Sequence, residues 1–334
     1  MKRKLLLFMF SLVAYYGFSQ NNYLDFDGLN DYVNVAGSGN LLASSSTISM
    51  SCKVYPKNDN PSFPYFDGFA GYRNDSNFDF YIIQLTSNEI EARFRNASGT
   101  VYTLTYNGLE LDEWNHFFLV YDGSDLILYS GANEVASMPA TGAVPTSNST
   151  TFKIGNIQYS FNNFYHEGYI DEVSLWNKAL SGTEISAIMA NNGEINEPDG
   201  EANLKVYYKF NQGTAYGSNT GLTTLTDEMG VFDGTLTNFA LTGSASNWGS
   251  EDELAGNKFD KTSTVVYPNP VSNRLNFTGF SEINTIRIVD LRGRTVLNKE
   301  IIHSETTSLD VSELKTGVYF AIVNGNQNIK FVKL

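Results

Sequence analysis

The residues of this chain best suited to chemistry are rings and amides crowded into one short stretch. Tyr159, Phe161, Phe164, Tyr165 and His166 fall within eight residues, interleaved with Asn156, Asn162 and Asn163. Aromatic faces stack on sugar rings, and side-chain amides bond hydroxyls. The same rings could equally fill a core rich in Tyr and Phe. Tyr159, Phe161, Asn163, Phe164, Tyr165 and His166 are therefore the candidate ligand-binding residues. A second aromatic group, Tyr65, Phe66, Tyr72, Phe78 and Tyr81, accompanies Arg73 and Asn74. Three carboxylates, Asp25, Asp27 and Asp31, cluster at a turn. Calcium takes about six to eight oxygens, so such a turn would supply part of a site. The alternative is an ordinary Asp-Gly turn.

Acid–base catalysis is poorly provided for. Hydrolysis of a glycosidic bond needs two positioned carboxylates. Glu197, Asp199 and Glu201 alternate, but Pro198 and Gly200 between them break strands, and the segment reads as a solvated loop. The three histidines are His116, His166 and His303. None sits in a zinc-protease motif, and the chain has no nucleophile elbow, paired-cysteine motif or phosphate-binding loop. His116 is expected to be a packed or hydrogen-bonded core residue.

Strands must position these groups. Asp-Gly pairs at Asp27-Gly28, Asp67-Gly68, Asp122-Gly123 and Asp233-Gly234 punctuate runs of Tyr, Phe, Val, Ile and Thr. His116–Tyr121, a turn at Asp122–Ser124 and Leu126–Tyr129 read as one antiparallel hairpin, apolar on both faces. A single helix is expected after Ser181, which with Glu184 makes a capping box before the apolar stripe Ile185, Ile188 and Met189. Cys52 shares a strand face with Met50 and Val54 and reads as a buried thiol; alone, it permits no intrachain disulfide.

Charge and targeting bound the setting. Lys2, Arg3 and Lys4 precede an apolar run from Leu5 to about Tyr16, with Gly17 and Ser19 before the expected cut, so residues 1–19 read as a signal peptide. No later segment is long or apolar enough for a membrane span in the mature protein. Residues 20–263 carry 11 basic and 30 acidic side chains, whereas 264–334 carry 8 and 6. So acidic a body repels nucleic acid and anionic lipid; no nucleic-acid partner is expected. Residues 249–263 have little to bury and read as a linker, leaving folded units at 20–248 and 264–334.

The carboxy-terminal unit contains Tyr267-Pro268-Asn269-Pro270-Val271, Ile288-Val289-Asp290-Leu291-Arg292-Gly293, Leu314-Lys315-Thr316-Gly317-Val318-Tyr319 and Lys330-Phe331-Val332-Lys333-Leu334. In this order they resemble the sorting domain of the type IX secretion system. The resemblance implies a small Ig-like β-sandwich, a partnership between residues 264–334 and that secretion machinery, and export from a diderm bacterium. The mature protein would then be secreted or anchored at the outer-membrane surface after removal of the signal peptide and sorting domain.

The larger unit carries Leu24–Val33, Trp114-Asn115-His116, Tyr121-Asp122-Gly123, Leu128-Tyr129, Phe152-Lys153-Ile154-Gly155, Gly168-Tyr169-Ile170-Asp171-Glu172-Val173 and Trp176–Ser181. This set resembles the laminin-G-like, concanavalin-like jelly-roll family. The resemblance implies an all-β sandwich of two antiparallel sheets, a glycan or surface-protein ligand, and structural calcium, with Asp171 joining Asp25, Asp27 and Asp31. Three readings follow: a non-catalytic binding module, a glycoside hydrolase of extracellular polysaccharide, and a protein-binding adhesive or matrix component. The chain departs from the family at Lys53, where Trp is common. The strand-like run Tyr207–Phe210 also follows the helix instead of opening the domain, which leaves open whether 203–248 belongs to the same sandwich.

Overall fold

A computed structural model describes residues 21–74, 77–145, 149–251, 265–278, 283–304, 307–324 and 327–334. The signal peptide and nearly all of the expected linker lie outside the described residues. The chain divides into two compact units, Met1–Asp252 and Glu253–Leu334.

The first unit contains β1 (Asn22–Asp27), β2 (Tyr32–Val35), β3 (Ile48–Pro56), β4 (Asp67–Asn74), β5 (Phe78–Gln84), β6 (Ile90–Arg95), β7 (Val101–Tyr106), β8 (Asn115–Tyr121), β9 (Asp125–Ser130), β10 (Asn133–Pro139), β11 (Phe152–Ile154), β12 (Asn156–Tyr159), β13 (Asn162–Tyr165), β14 (Glu167–Trp176), α1 (Gly182–Ala190), β15 (Leu204–Tyr208), β16 (Thr224–Leu225), β17 (Gly234–Thr237) and β18 (Trp248–Ser250). One sheet runs β10-β9-β8-β3-β14-β1-β18, with β15 also paired to β14; the other runs β16-β17-β2-β11-β4-β5-β6-β7. Hairpin β12–β13 belongs to neither.

Period-two alternation explains the layering. Along β3, Ile48, Met50, Cys52 and Val54 enter the core between the sheets, whereas Ser49, Ser51 and Lys53 turn away from it. Burial pushes the Cys52 thiol up to about 12, so it stays protonated. Along β6, Ile90, Ala92 and Phe94 are buried, and Glu91, Arg93 and Arg95 take the other face. Phe69, Phe80, Phe94, Phe117 and Tyr121 supply much of the core, each large side chain contributing about 1.5–3 kcal/mol by leaving water.

Both faces of β8 are buried because α1 covers the outer one. Phe118 and Val120 pack there with Trp176, Leu180, Ile185, Ile188 and Tyr207. The capping box forms as expected: the Ser181 hydroxyl accepts from Glu184 N, and Glu184 Oε2 accepts from Ser181 N at 2.8 Å. The expected hairpin is β8–β9, and Asp122 Oδ1 caps its turn from Ser124 N and Asp125 N. Segment 203–250 completes the same sandwich: β15 pairs with β14, β17 with β2, and β18 with β1. The expected boundary at 248 falls short, because Gly249 and Ser250 lie opposite Tyr23 and Asn22 in the sheet.

The second unit contains β19 (Val265–Tyr267), β20 (Arg274–Thr278), β21 (Ile283–Asp290), β22 (Thr295–Ser304), β23 (Thr307–Asp310), β24 (Gly317–Val323) and β25 (Gln327–Lys333). Sheets β19-β20-β23 and β22-β21-β24-β25 enclose Leu275, Phe277, Ile286, Ile288, Ala321 and Phe331. This is the small sandwich the sequence implies. No described helix is long and apolar enough to cross a membrane.

Candidate functional site

Hairpin β12–β13 places the aromatic stretch against the outer face of the second sheet. Its inward pair is Ile157 opposite Phe164; both rest on Tyr81 and Ile83, flanked by Phe66 and Leu85. Gly68 permits this seating. A Cβ there would lie 2.4 Å from Ile157 N and 2.7 Å from Phe164 O, closer than packed atoms tolerate.

The hairpin sorts its residues by face. Phe161, at the tip, is 96% exposed, and Tyr159 is 38% exposed. Tyr165 is half-buried beside Tyr32, with ring centroids 6.4 Å apart. Asn163 Oδ1 accepts from Asn156 Nδ2 at 3.1 Å, so that amide oxygen braces the hairpin. Phe164 and His166 contradict the expectation of ligand-facing side chains. Phe164 is a core ring, in edge contact with Phe66 at 5.4 Å. His166 is fully buried between Phe26 and Phe69, its Nδ1 3.5 Å from Asp67 Oδ2. The cause is register: Phe164 pairs with inward-facing Ile157, and His166 lies just past the hairpin.

Two hollows flank the hairpin. One, of about 400 Å³, is lined by Leu29, Tyr65, Phe161, Asn162, Asn163 and Tyr165. The other, of about 420 Å³, is bordered by Phe63, Phe66, Tyr159, Arg73, Arg93 and Arg95. Seven large apolar side chains are exposed among the described residues of the first unit. Five of them, Leu29, Phe63, Tyr65, Tyr159 and Phe161, line these two hollows. Tyr65 is 75% exposed and Phe63 59%. Arg73 lies 4.2 Å over the Tyr159 ring and 5.1 Å over Tyr81. From the second aromatic group, Tyr72 and Phe78 are core residues, and Tyr81 lies beneath the hairpin.

Sequence reasoning passed over Phe63, Arg93 and Arg95. The alternation in β6 was the available signal for the two arginines. The meeting of β6 with Arg73 was not readable, because it depends on the sheet order β4-β5-β6.

The four carboxylates named for calcium do not form one donor set: Asp25, Asp27 and Asp31 neighbour one another, and Asp171 is engaged elsewhere. Asp171 is fully buried on β14, directly opposite Lys53 on β3, whose Nζ lies 3.5 Å from Asp171 Oδ2 and 2.5 Å from Glu251 Oε1. An ion pair thus takes the place of metal coordination at Asp171. Asp27 Oδ1 accepts from Leu29 N and Asn30 N, and Asp31 Oδ2 accepts from Asp27 N. Among the described residues no group of three or more His, Cys, Asp or Glu is arranged to hold a metal ion. The four-residue donor set therefore does not fit calcium.

The remaining titratable groups have structural surroundings. Glu197 and Asp199 are exposed around a 3-10 turn at Pro198–Gly200, away from both hollows. His116 stacks on Phe118 at 4.6 Å; burial, with Lys53 adding, lowers its pKa to about 3 and keeps it neutral. Burial raises Glu172 well above its ordinary range, and it accepts a hydrogen bond from the Tyr207 hydroxyl. On the outer face of the first sheet, Trp114, Tyr55 and Tyr169 form a further half-buried ring cluster, with Lys57 Nζ 3.7 Å over Tyr169.

Two packed antiparallel sheets in this order have the architecture of a jelly roll. Residues 26–186 match the family described as the concanavalin A-like lectin/glucanases superfamily, and residues 265–334 match the secretion system C-terminal sorting domain. The first unit therefore has a concanavalin-like jelly-roll fold, and the second matches a secretion-system sorting domain. No curated protein matches the sequence. Among solved structures it is similar to the SAP-like pentraxin of Limulus polyphemus, at 14% identity and TM-score 0.42 over 52% of this chain and 84% of that one. A putative carbohydrate binding protein from Bacteroides ovatus gives 18% and 0.47 over 66% and 58%. The Ruminococcus gnavus IT-sialidase CBM40, bound to alpha2,3 sialyllactose, gives 14% and 0.41 over 51% and 97%. At such identities and TM-scores their ligands do not transfer to this chain.

Proposed function

We propose that this protein is a non-catalytic binding module, exported by the type IX system, whose ligand is an extracellular glycan held beside hairpin β12–β13. One observation carries the reading: five of the seven exposed large apolar side chains among the described residues of the first unit gather at the two hollows there. Dispersed exposed apolar residues need no explanation, but a concentration around concave surface marks a recognition site. The rings offer stacking faces, and Asn162 and Asn163 stand among them. The acidic body favours a ligand outside the nucleic-acid and anionic-lipid classes.

The test is a glycan-array screen of the purified protein, followed by Tyr159→Ala and Phe161→Ala. Both variants should keep the wild-type melting temperature and bind the captured glycan more weakly. Phe164→Ala is the contrast: removing that buried ring should cost about 3–5 kcal/mol of stability. Unchanged affinity in both exposed-ring variants would refute the site.

A further inference from the structure

We propose that the hollow beside Tyr159 selects a carboxylated sugar, a uronic- or sialic-type residue, with Arg93 as the principal partner of its carboxylate. This rests on the glycan reading above and names its ligand class.

The distribution of arginine carries the inference. Residues 20–263 hold 30 acidic side chains and only three arginines, Arg73, Arg93 and Arg95. All three border the one hollow of about 420 Å³. They arrive from two strands separated by β5, Arg73 on β4 and the other two on β6. The described lysines of the same unit do not line this hollow. Lys153 borders the neighbouring depression of about 290 Å³, which Arg73 also lines. Cationic side chains thus follow the hairpin on both flanks of Tyr159, in a body of net charge −19.

The three guanidinium groups are differently engaged. Arg95 is committed: its Nε and Nη2 each lie 2.9 Å from Oδ2 of the fully buried Asp79. Arg93 gives Nη2 to Glu91 Oε1 at 2.8 Å, and the Tyr81 hydroxyl donates to the same oxygen at 2.8 Å. Arg93 Nε is buried and has no acceptor among the described residues. That nitrogen is closed to solvent, but the Arg93 side chain as a whole keeps 22% of its surface exposed and borders the hollow, where a carboxylate would meet the guanidinium. Arg73 lies over Tyr159, Tyr81 and Phe164, so its position is set by three rings. All three guanidinium groups border the hollow, whose described lining holds one carboxylate, Glu91, with Asp79 beneath Arg95. The planar guanidinium fork matches carboxylate geometry, which favours carboxylate over a neutral hydroxyl. Tyr159 and Phe63 supply the adjoining apolar faces for the sugar ring.

The experiment uses the purified full chain on an array of matched pairs: galacturonate and galactose oligomers, glucuronate and glucose oligomers, sialylated and asialo-lactose, with sulfated congeners alongside. At least one carboxylated member should bind about tenfold more tightly than its neutral partner. Added salt should shrink the difference. Arg93→Gln should abolish the preference while leaving residual neutral binding. Arg93→Lys, which keeps the charge and loses the fork, should retain only part of it, and thermal melting of each variant reports folding. Preference for neutral members, or for sulfated over carboxylated ones, overturns this inference and leaves the glycan reading standing. So does selectivity that survives in a folded Arg93→Gln. A protein that binds no member of the array overturns both.

Discussion

At Asp25, burial pushes the carboxyl up to about 7, opposed by Lys57 and reinforced by Asp31, Asp27 and Glu167. Burial likewise lifts Asp31 to about 6. These acids looked ready for a cation in sequence, yet the fold holds them where charge is disfavoured. An acid whose folded pKa exceeds its unfolded value binds more protons when folded. Its contribution is therefore fully present below the ordinary carboxylate range, declines as pH rises toward 7, and is level above that. Asp25→Asn should remove this decline. Melting temperatures of both proteins between acid and mildly alkaline pH should converge at the acid end and separate at the alkaline end, with the variant higher. Parallel curves would show that Asp25 titrates normally.

The hairpin is the element on which the site depends, and its seat is a backbone position on another strand. Gly68→Ala places a Cβ against Ile157 N and Phe164 O, so β12–β13 must lift from β4. Overpacking of this kind costs about 1–3 kcal/mol. The variant should melt lower and lose affinity for the proposed glycan, because Tyr159 moves away from Arg73 on β4 and the arginines of β6. Calorimetry and binding on the same sample check both effects, and an unchanged protein would mean that the hairpin is not seated as described. The helix differs in kind. Its cap and apolar stripe lie within nine consecutive positions, Ser181–Met189, so it was readable locally.

For the whole molecule, the match of residues 265–334 to a secretion-system sorting domain implies export, and the binding role proposed above belongs to the first unit. Each unit has its own core. Cells of a type IX-competent host should release or display a form lacking residues 1–19 and the sorting domain at 265–334. Mass spectrometry of the cell-surface and medium fractions measures the termini. Full-length protein confined to the cytoplasm would contradict export.

Local pattern alone determined the all-β class, the capped helix, the buried Cys52, the β8–β9 hairpin and the two-unit division, because each depends on periodicity, turn chemistry or composition within a short window. The chemistry-bearing stretch at 159–166 was also visible in sequence. Its sorting was not: Phe164 and His166 look as available as Tyr159 and Phe161 until the hairpin's register turns them inward. The family resemblance offered Asp171 as a calcium ligand, and its partner Lys53 was not readable because it lies 118 positions away. The arginine hollow was invisible for the same reason. Arg73 and Arg93 belong to strands joined only through β5, and long-range pairing, which no local window encodes, decides which side chains meet.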